Sequence, residues 1–372
     1  MNANIKPIVM PKWGLAMAEG MLTKWHVEEG ADIRPGVEIC DIETSKIANA
    51  MESTVAGKIL RRVASEGSTL PVGALMAVVG EGASAAEVDA FIEKFDEEFA
   101  AAVSNAASEG PASGKVTVAG KQINYVKAGQ AEGTPIIFVH GFAGDLNSWM
   151  FNQPVLAQDH MTYAVDLPGH GASDKSVKEG TIQEFASALA GFMDSLEIER
   201  AHLVGQSLGG AIVLQLAAEK PAMAASLTLI SSAGLGPEIN MDYIEGFVSA
   251  TGRKDLKPQL EKLFADPSLV SRDMINDVLK YKRLDGVDGV LRQTAASAFG
   301  SGKQSADLRA KLESIKVPIQ VIFGAKDQII PAEHAKGLPS KVTVHIIPTA
   351  GHMPHMEAAG EVNRLIAGVV AS

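Results

Sequence analysis

The sequence predicts a multidomain chain: a small all-β domain over residues 1–80, then an α/β domain over residues 115–372 with a helical cap at about 235–314. Three observations predict this. The first eighty residues repeat themselves, with Gly20, Gly30 and Gly36 recurring in the register of Gly57, Gly67 and Gly73. From Lys115 onward apolar runs alternate with helical patterns, which implies a parallel sheet covered by helices on both faces. Between Leu235 and Ser314 that alternation stops, and the stretch reads as several short helices with no strand.

Within the repeat, Glu29-Gly-Ala-Asp-Ile-Arg-Pro-Gly echoes Glu66-Gly-Ser-Thr-Leu-Pro-Val-Gly. A duplication of short, glycine-punctuated β segments predicts two similar small sheets packed face to face. Between the halves lies Asp41-Ile-Glu-Thr-Ser-Lys-Ile-Ala, which puts Lys46 at a tight turn. Residues 1 to about 80 resemble the lipoyl domain of the acyltransferase components of 2-oxo acid dehydrogenase complexes. Biotin-carrying domains share the fold, but their lysine usually sits between two methionines, whereas Ser45 and Ile47 flank Lys46. The resemblance implies lipoate attached at Lys46.

Residues 81–114 form a second region. Ala85 to about Val103 has helical periodicity, with Val88, Phe91, Ile92, Phe95 and Phe99 on one stripe and acidic residues elsewhere. Such a stripe either docks a partner subunit or packs on its own chain. From Ser104 to Gly114 the composition is that of a flexible linker.

In the third region, Val116–Val118 and Ile123–Val126 alternate around Gly120 as a hairpin. Strands are predicted at 135–139, 162–165, 201–204, 227–230, 319–323 and 342–346, and helices at 182–196, 210–219 and 362–370. Gly205-Gln-Ser-Leu-Gly matches G-x-S-x-G, and its place between a strand and a helix is the setting in which Ser207 would sit exposed on a sharp turn. A serine needs a base to remove its proton. Of nine histidines, His352 follows the last strand and precedes the last helix in Ala350-Gly-His-Met-Pro. His355 is its near decoy, His202 and His345 lie in strands, His26 belongs to the first domain, and His160 and His334 have no supporting pattern. The base needs a carboxylate to hold its tautomer, and Asp327 follows the strand 319–323 at its carboxyl end.

The order Ser207, Asp327, His352 and the surrounding loops resemble the α/β-hydrolase family over about residues 115–372. The resemblance implies an oxyanion hole from the backbone N–H groups of Phe142, in His140-Gly-Phe-Ala-Gly, and Leu208. It also implies a structural role for the loop Asp166-Leu-Pro-Gly-His-Gly-Ala-Ser-Asp. Joined on one chain, the two halves resemble the dihydrolipoamide acetyltransferase components of bacterial acetoin dehydrogenase complexes. That resemblance implies acetyl transfer from lipoyl-Lys46 to coenzyme A by a Ser–His–Asp site. It further implies partners in a thiamine-diphosphate enzyme that cleaves acetoin and in dihydrolipoamide dehydrogenase, and assembly as a homo-oligomer. The H-x-x-x-D-G motif of other acyltransferases is absent; Tyr281-Lys-Arg-Leu-Asp-Gly has tyrosine where histidine is required. Two other readings stay open: an esterase or thioesterase with a fused lipoyl domain, and a non-catalytic carrier or scaffold.

Composition narrows the setting. A net charge of -11 argues against nucleic acid as a partner. No apolar run approaches the roughly 20 residues needed to span a bilayer, and the first residues lack the pattern of a secretion signal. Cys40 stands alone, which excludes an intrachain disulfide. A cytoplasmic location is expected. Two basic clusters in the cap, Arg253, Lys254 and Lys257, and Lys280, Lys282 and Arg283, could meet the phosphates of coenzyme A or be ordinary solvated helix faces.

Overall fold

A computed structural model of the chain describes residues 5–11, 19–43, 48–109 and 112–371. The chain divides into two units, Met1–Gly110 and Pro111–Ser372.

In the first unit the glycine repeat becomes a structural repeat. Its strands are β1 (Lys6–Val9), β2 (Glu19–Trp25), β3 (Asp32–Ile33), β4 (Glu38–Glu43), β5 (Ala48–Glu52), β6 (Gly57–Arg62), β7 (Thr69–Pro71) and β8 (Leu75–Gly80). They form two four-stranded antiparallel sheets, β1-β8-β6-β3 and β5-β4-β2-β7. Exchanging the two halves of the sequence turns one order into the other, so each sheet takes strands from both repeats. The recurring glycines explain the match. Gly30 and Gly67 have φ of 88° and 83°, and their N–H groups donate to Ile59 O and Leu22 O, each at 2.7 Å. These are equivalent turns that a side chain would strain. Ile8, Ile33, Ile59 and Val79 of one sheet meet Leu22, Trp25, Ile39 and Ile42 of the other in a buried core.

The helix α1 (Ala85–Glu109) starts with a capping box, Ser84 Oγ lying 2.8 Å from Glu87 Oε2 and Ser84 N–H donating to it at 2.9 Å. Val88, Phe91, Ile92 and Phe95 of its stripe pack with Leu75 and Val78 of β8. That contact buries β8 on both faces and accounts for its uninterrupted apolar run. The stripe therefore packs on its own unit. The predicted linker is also corrected: the helix continues to Glu109, and the next strand begins at Ala112. Residues 100–103 and 106–107 include five alanines, which keep helix propensity high, and Ala112–Gly114 find partners on the following strand.

The second unit holds β9 (Ala112–Val118), β10 (Lys121–Ala128), β11 (Ile136–Val139), β12 (Thr162–Val165), β13 (Ala201–Gln206), β14 (Ala224–Ile230), β15 (Ile319–Gly324) and β16 (Val342–Ile347). The sheet order is β16-β15-β14-β13-β11-β12-β10-β9, with β9 and β10 antiparallel and the rest parallel. Its helices are α2 (Gln153–Leu156), α3 (Ile182–Ser195), α4 (Leu208–Glu219), α5 (Met241–Ser249), α6 (Arg253–Glu261), α7 (Arg272–Lys282), α8 (Val287–Phe299), α9 (Pro354–Glu357) and α10 (Ala359–Val370). Ile137 and Val139 of β11 join the core under α3 and α4, while Ile136 and Phe138 join the core under α10, so both faces are covered. The helices α5 to α8 lie between β14 and β15 in sequence and form the cap. Among the described residues no helix is long and apolar enough to cross a membrane.

Candidate active site

The site is built at the carboxyl ends of β13, β15 and β16, where open parallel sheets leave a crevice. Ser207 occupies the single residue between β13 and α4 with φ 54° and ψ −117°. A non-glycine residue there stores roughly 1–3 kcal/mol of strain, which surrounding structure must hold. The glycines of the motif make that possible. A Cβ at Gly205 would lie 2.3 Å from Gly209 O, and one at Gly209 would lie 2.2 Å from Val139 O. Strand, turn and helix therefore approach too closely for any side chain. The helix α4 begins two residues before its predicted start, because Leu208 and Gly209 are its first turn despite glycine's low propensity.

Asp327 and His352 meet as the sequence order predicts. His352 Nδ1 lies 2.8 Å from Asp327 Oδ2, and both side chains are buried. The other carboxylate oxygen accepts the N–H groups of Ile329 at 2.8 Å and Ile330 at 3.0 Å, fixing the carboxylate plane. With its proton on Nδ1, the imidazole presents the Nε2 lone pair. Ser207 and His352 line the same cavity. No hydrogen bond joins Ser207 Oγ to the imidazole among the described residues, a contact that resting hydrolytic sites often make only with substrate present.

Two residues that sequence reasoning passed over hold His352 in place. Gln206, the variable position of the motif, donates from Nε2 to His352 O at 3.1 Å. Glu357 accepts from Gly351 N–H at 2.8 Å and from Ala265 N–H at 2.7 Å, tying the histidine loop to the cap. The backbone N–H of His352 itself donates to Leu263 O of the cap at 2.9 Å. No short motif marks these contacts, since each spans residues far apart in sequence.

The loop after β11 comes against the nucleophile turn: a Cβ at Gly141 would lie 3.0 Å from Ser207 Cβ and 2.4 Å from Gln206 Oε1. His140 anchors this loop. Its Nδ1–H donates to Gly141 O at 2.8 Å and its Nε2 accepts Leu167 N–H at 3.1 Å, while burial drives its pKa down and keeps the ring neutral. The N–H groups of Phe142 and Leu208 take no part in the loop and turn hydrogen bonds among the described residues, which leaves both available to an oxyanion. Asp166 Oδ1 accepts Leu146 N–H at 2.8 Å, and its Oδ2 accepts Ala172 N–H at 2.7 Å and the Asn124 amide at 2.8 Å, so its loop is structural.

His355 is buried beside Trp149, at 4.7 Å between ring centroids, and burial pushes its pKa down to about 3. It does not line the cavity. His202 Nδ1 pairs with Ser226 Oγ at 2.8 Å, and His334 Nε2 with Glu238 at 2.7 Å; neither lines the cavity.

The cavity encloses about 460 Å³. Its wall is largely apolar and comes from the loop after β11, the Gln206–Ser207 turn, the cap, Ile329, Met353 and Met356. Besides His352, its members with ionisable acid groups are Asp145, whose carboxyl burial holds above the ordinary range, and Asp277. Neither basic cluster reaches this wall among the described residues. Arg253 bonds Asn276 at 2.7 Å, Lys257 pairs with Glu261 at 3.4 Å, Lys280 pairs with Asp277 at 2.9 Å, and Lys282 caps the carbonyls of Phe247 and Val248. Tyr281 donates to Gly169 O at 3.1 Å, a structural contact.

Lys46 lies outside the described residues. The pairing of β4 with β5 ends at Glu43 opposite Ala48, so the lysine falls in sequence between the closing ends of a hairpin.

Residues 134–359 match the family described as alpha/beta hydrolase fold, and residues 6–79 match the family described as biotin-requiring enzyme. Two proteins named dihydrolipoyllysine-residue acetyltransferase component of acetoin cleaving system are similar over nearly the whole chain. The one from Pseudomonas putida is 46% identical, covering 97% of each chain. The one from Cupriavidus necator is 43% identical, covering 98% of this chain and 97% of that one. Among solved structures, a meta-cleavage product hydrolase from Pseudomonas fluorescens aligns with a TM-score of 0.61 at 21% identity, over 69% of this chain and 97% of its own. A carboxylesterase from Bacillus subtilis aligns with a TM-score of 0.61 at 20% identity, over 73% and 96%. These two establish the fold of the larger unit.

Proposed function

The chain belongs to the family of dihydrolipoyllysine-residue acetyltransferase components of acetoin-cleaving systems, and from that membership we propose how its own residues carry the reaction. It is an acetyltransferase that moves an acetyl group from a lipoyl-lysine to coenzyme A, and it is one component of a multienzyme system. The lipoyl group, when bound, supplies a thiol that carries acyl groups as thioesters; Lys46 is the residue that would hold it.

Ser207 Oγ attacks the carbonyl carbon of the thioester as His352 Nε2 takes the hydroxyl proton. Asp327 holds the Nδ1–H tautomer and stabilises the imidazolium. The N–H groups of Phe142 and Leu208 receive the oxyanion, each donor contributing about 3–4 kcal/mol in sites of this kind. The C–S bond then breaks, His352 returns the proton to the departing sulfur, and the acetyl group stays on Ser207. Coenzyme A thiol next gives its proton to His352 and attacks the ester carbonyl. Collapse of this second tetrahedral species reprotonates Ser207 and releases acetyl-coenzyme A.

The observation that carries this reading is the strained Ser207 turn sharing one cavity with an imidazole fixed by a buried carboxylate. Water competes with the thiol at the acyl-serine, and the cap-lined, largely apolar cavity is what limits its entry. A thiamine-diphosphate enzyme that cleaves acetoin and dihydrolipoamide dehydrogenase are the partners this cycle requires, on a homo-oligomeric core in the cytoplasm.

The test is product partition. Full-length lipoylated protein is given S-acetyldihydrolipoamide and coenzyme A, and acetyl-coenzyme A is measured against free acetate. The reading expects mostly the thioester; mostly acetate would leave a hydrolase with a fused lipoyl domain.

A further inference from the structure

Acetyl is small for the space that receives it. A cavity of about 460 Å³ is in the range that takes whole drug-sized ligands, and the methyl of an acetyl group is about the size of one water, whose share of liquid volume is roughly 30 Å³. The cavity also has two ends. Asn147, Met150 and Asp277 are exposed and mark where it opens to solvent. Ile244, Phe247, Leu260, Phe264 and Phe299, each no more than 4% exposed, form an apolar wall in which the buried Tyr243, 6.0 Å from Phe247 between ring centroids, carries the one hydroxyl.

Three groups compete for this apolar end: the lipoyl chain, the pantetheine arm of coenzyme A, and the acyl chain. The two thiols must use one path, because His352 Nε2 protonates the sulfur that leaves and deprotonates the sulfur that enters. Pantetheine carries two amides, and burying an amide without a partner costs on the order of 1–3 kcal/mol. The shared thiol path therefore runs toward the exposed, polar end. The acyl group alone stays through both half-reactions, and the apolar end is left to it.

We propose, resting on the acyl-transfer reading above, that this site takes neutral aliphatic acyl groups longer than acetyl and moves them more efficiently than acetyl itself. Each methylene that enters an apolar wall contributes up to about fourfold, the equivalent of about 0.8 kcal/mol.

The experiment uses the full-length lipoylated protein with p-nitrophenyl acetate, butanoate and hexanoate. The kcat/KM for p-nitrophenol release reports acylation alone, and Ser207→Ala supplies the background. The expected result is a rise from acetate to hexanoate of at least tenfold. A flat or falling series overturns the proposal. Leu260→Phe, which fills the apolar end, is expected to lower the hexanoate-to-acetate ratio at least fivefold; an unchanged ratio would place the chain elsewhere and also overturn it. Acyl-coenzyme A is measured in parallel with the matching S-acyldihydrolipoamides. A flat series with acetyl-coenzyme A formed sinks the long-chain proposal alone, whereas a rising series with only free acid formed keeps the pocket and sinks the transfer reading.

Discussion

Asparagine at position 327 separates two tasks that one carboxylate performs. Asp327 Oδ1 accepts the N–H groups of Ile329 and Ile330, and Oδ2 faces His352 Nδ1 at 2.8 Å, in a position with no exposed surface. In Asp327→Asn the amide oxygen keeps the two backbone bonds, and the amide nitrogen then points at Nδ1. Two donors cannot share that contact, so the imidazole moves its proton to Nε2 and can no longer accept one from Ser207. The same exchange in serine triads lowers kcat by about 10⁴, which at about 1.36 kcal/mol per decade is about 5.4 kcal/mol of lost transition-state stabilisation. Asp327→Ala loses the tautomer and also leaves two N–H groups unpaired, at about 1–3 kcal/mol each. Acetyl-coenzyme A formation and thermal unfolding, read side by side, test the argument. The asparagine variant should be nearly inactive with its Tm little changed, and the alanine variant inactive with a Tm lower by several degrees. An asparagine variant with a tenth or more of the parent kcat would refute the tautomer argument.

Lys46→Arg should end turnover that depends on the attached arm, while transfer from free S-acetyldihydrolipoamide stays within about twofold; intact mass and both assays decide it. Gly205→Ala should abolish acylation and soluble expression, because its Cβ would lie 2.3 Å from Gly209 O; a soluble, active variant would show that the turn can open. His170 and His355 are buried with pKa values driven to about 3 by desolvation. Their stabilising contribution is complete above the unfolded value near 6.5 and is lost as pH falls from there toward 3, by about 1.4 kcal/mol per pH unit for each. Urea unfolding of the larger unit at pH 7 and pH 5.5 should show that loss, and His355→Gln should lessen the slope.

Much of this site was legible because its signals are local or ordered. Ser207 sits in a five-residue motif whose strand and helix can be read on either side, and His352 and Asp327 follow predicted strands. The glycine repeat carried the first unit, since Gly30 and Gly67 serve the same turn twice. The cavity was not legible. Its wall joins the loop after β11, the cap helices and Met353, segments with no common pattern until the chain folds. Gln206 and Glu357 escaped for the same reason, as each acts on a backbone group brought near by tertiary structure. In the basic clusters Arg253, Lys257, Lys280 and Lys282 are engaged in local pairs and caps, in keeping with the ordinary helix faces that the sequence also allows. The sequence predicts too early an end for α1, because the polar, glycine-bearing residues 104–114 have the composition of a linker while the alanines among residues 100–107 favour helix.

The central claim is that the acetyl group passes through Ser207. Rapid quenching of full-length protein with S-acetyldihydrolipoamide in the absence of coenzyme A, followed by peptide mass mapping, tests it most directly. The account predicts one acetyl group on the peptide bearing Ser207, formed at least as fast as steady-state turnover and discharged by coenzyme A to acetyl-coenzyme A. An unmodified Ser207 under turnover, or full transfer by Ser207→Ala, would contradict it and leave His352 activating the thiol for direct attack.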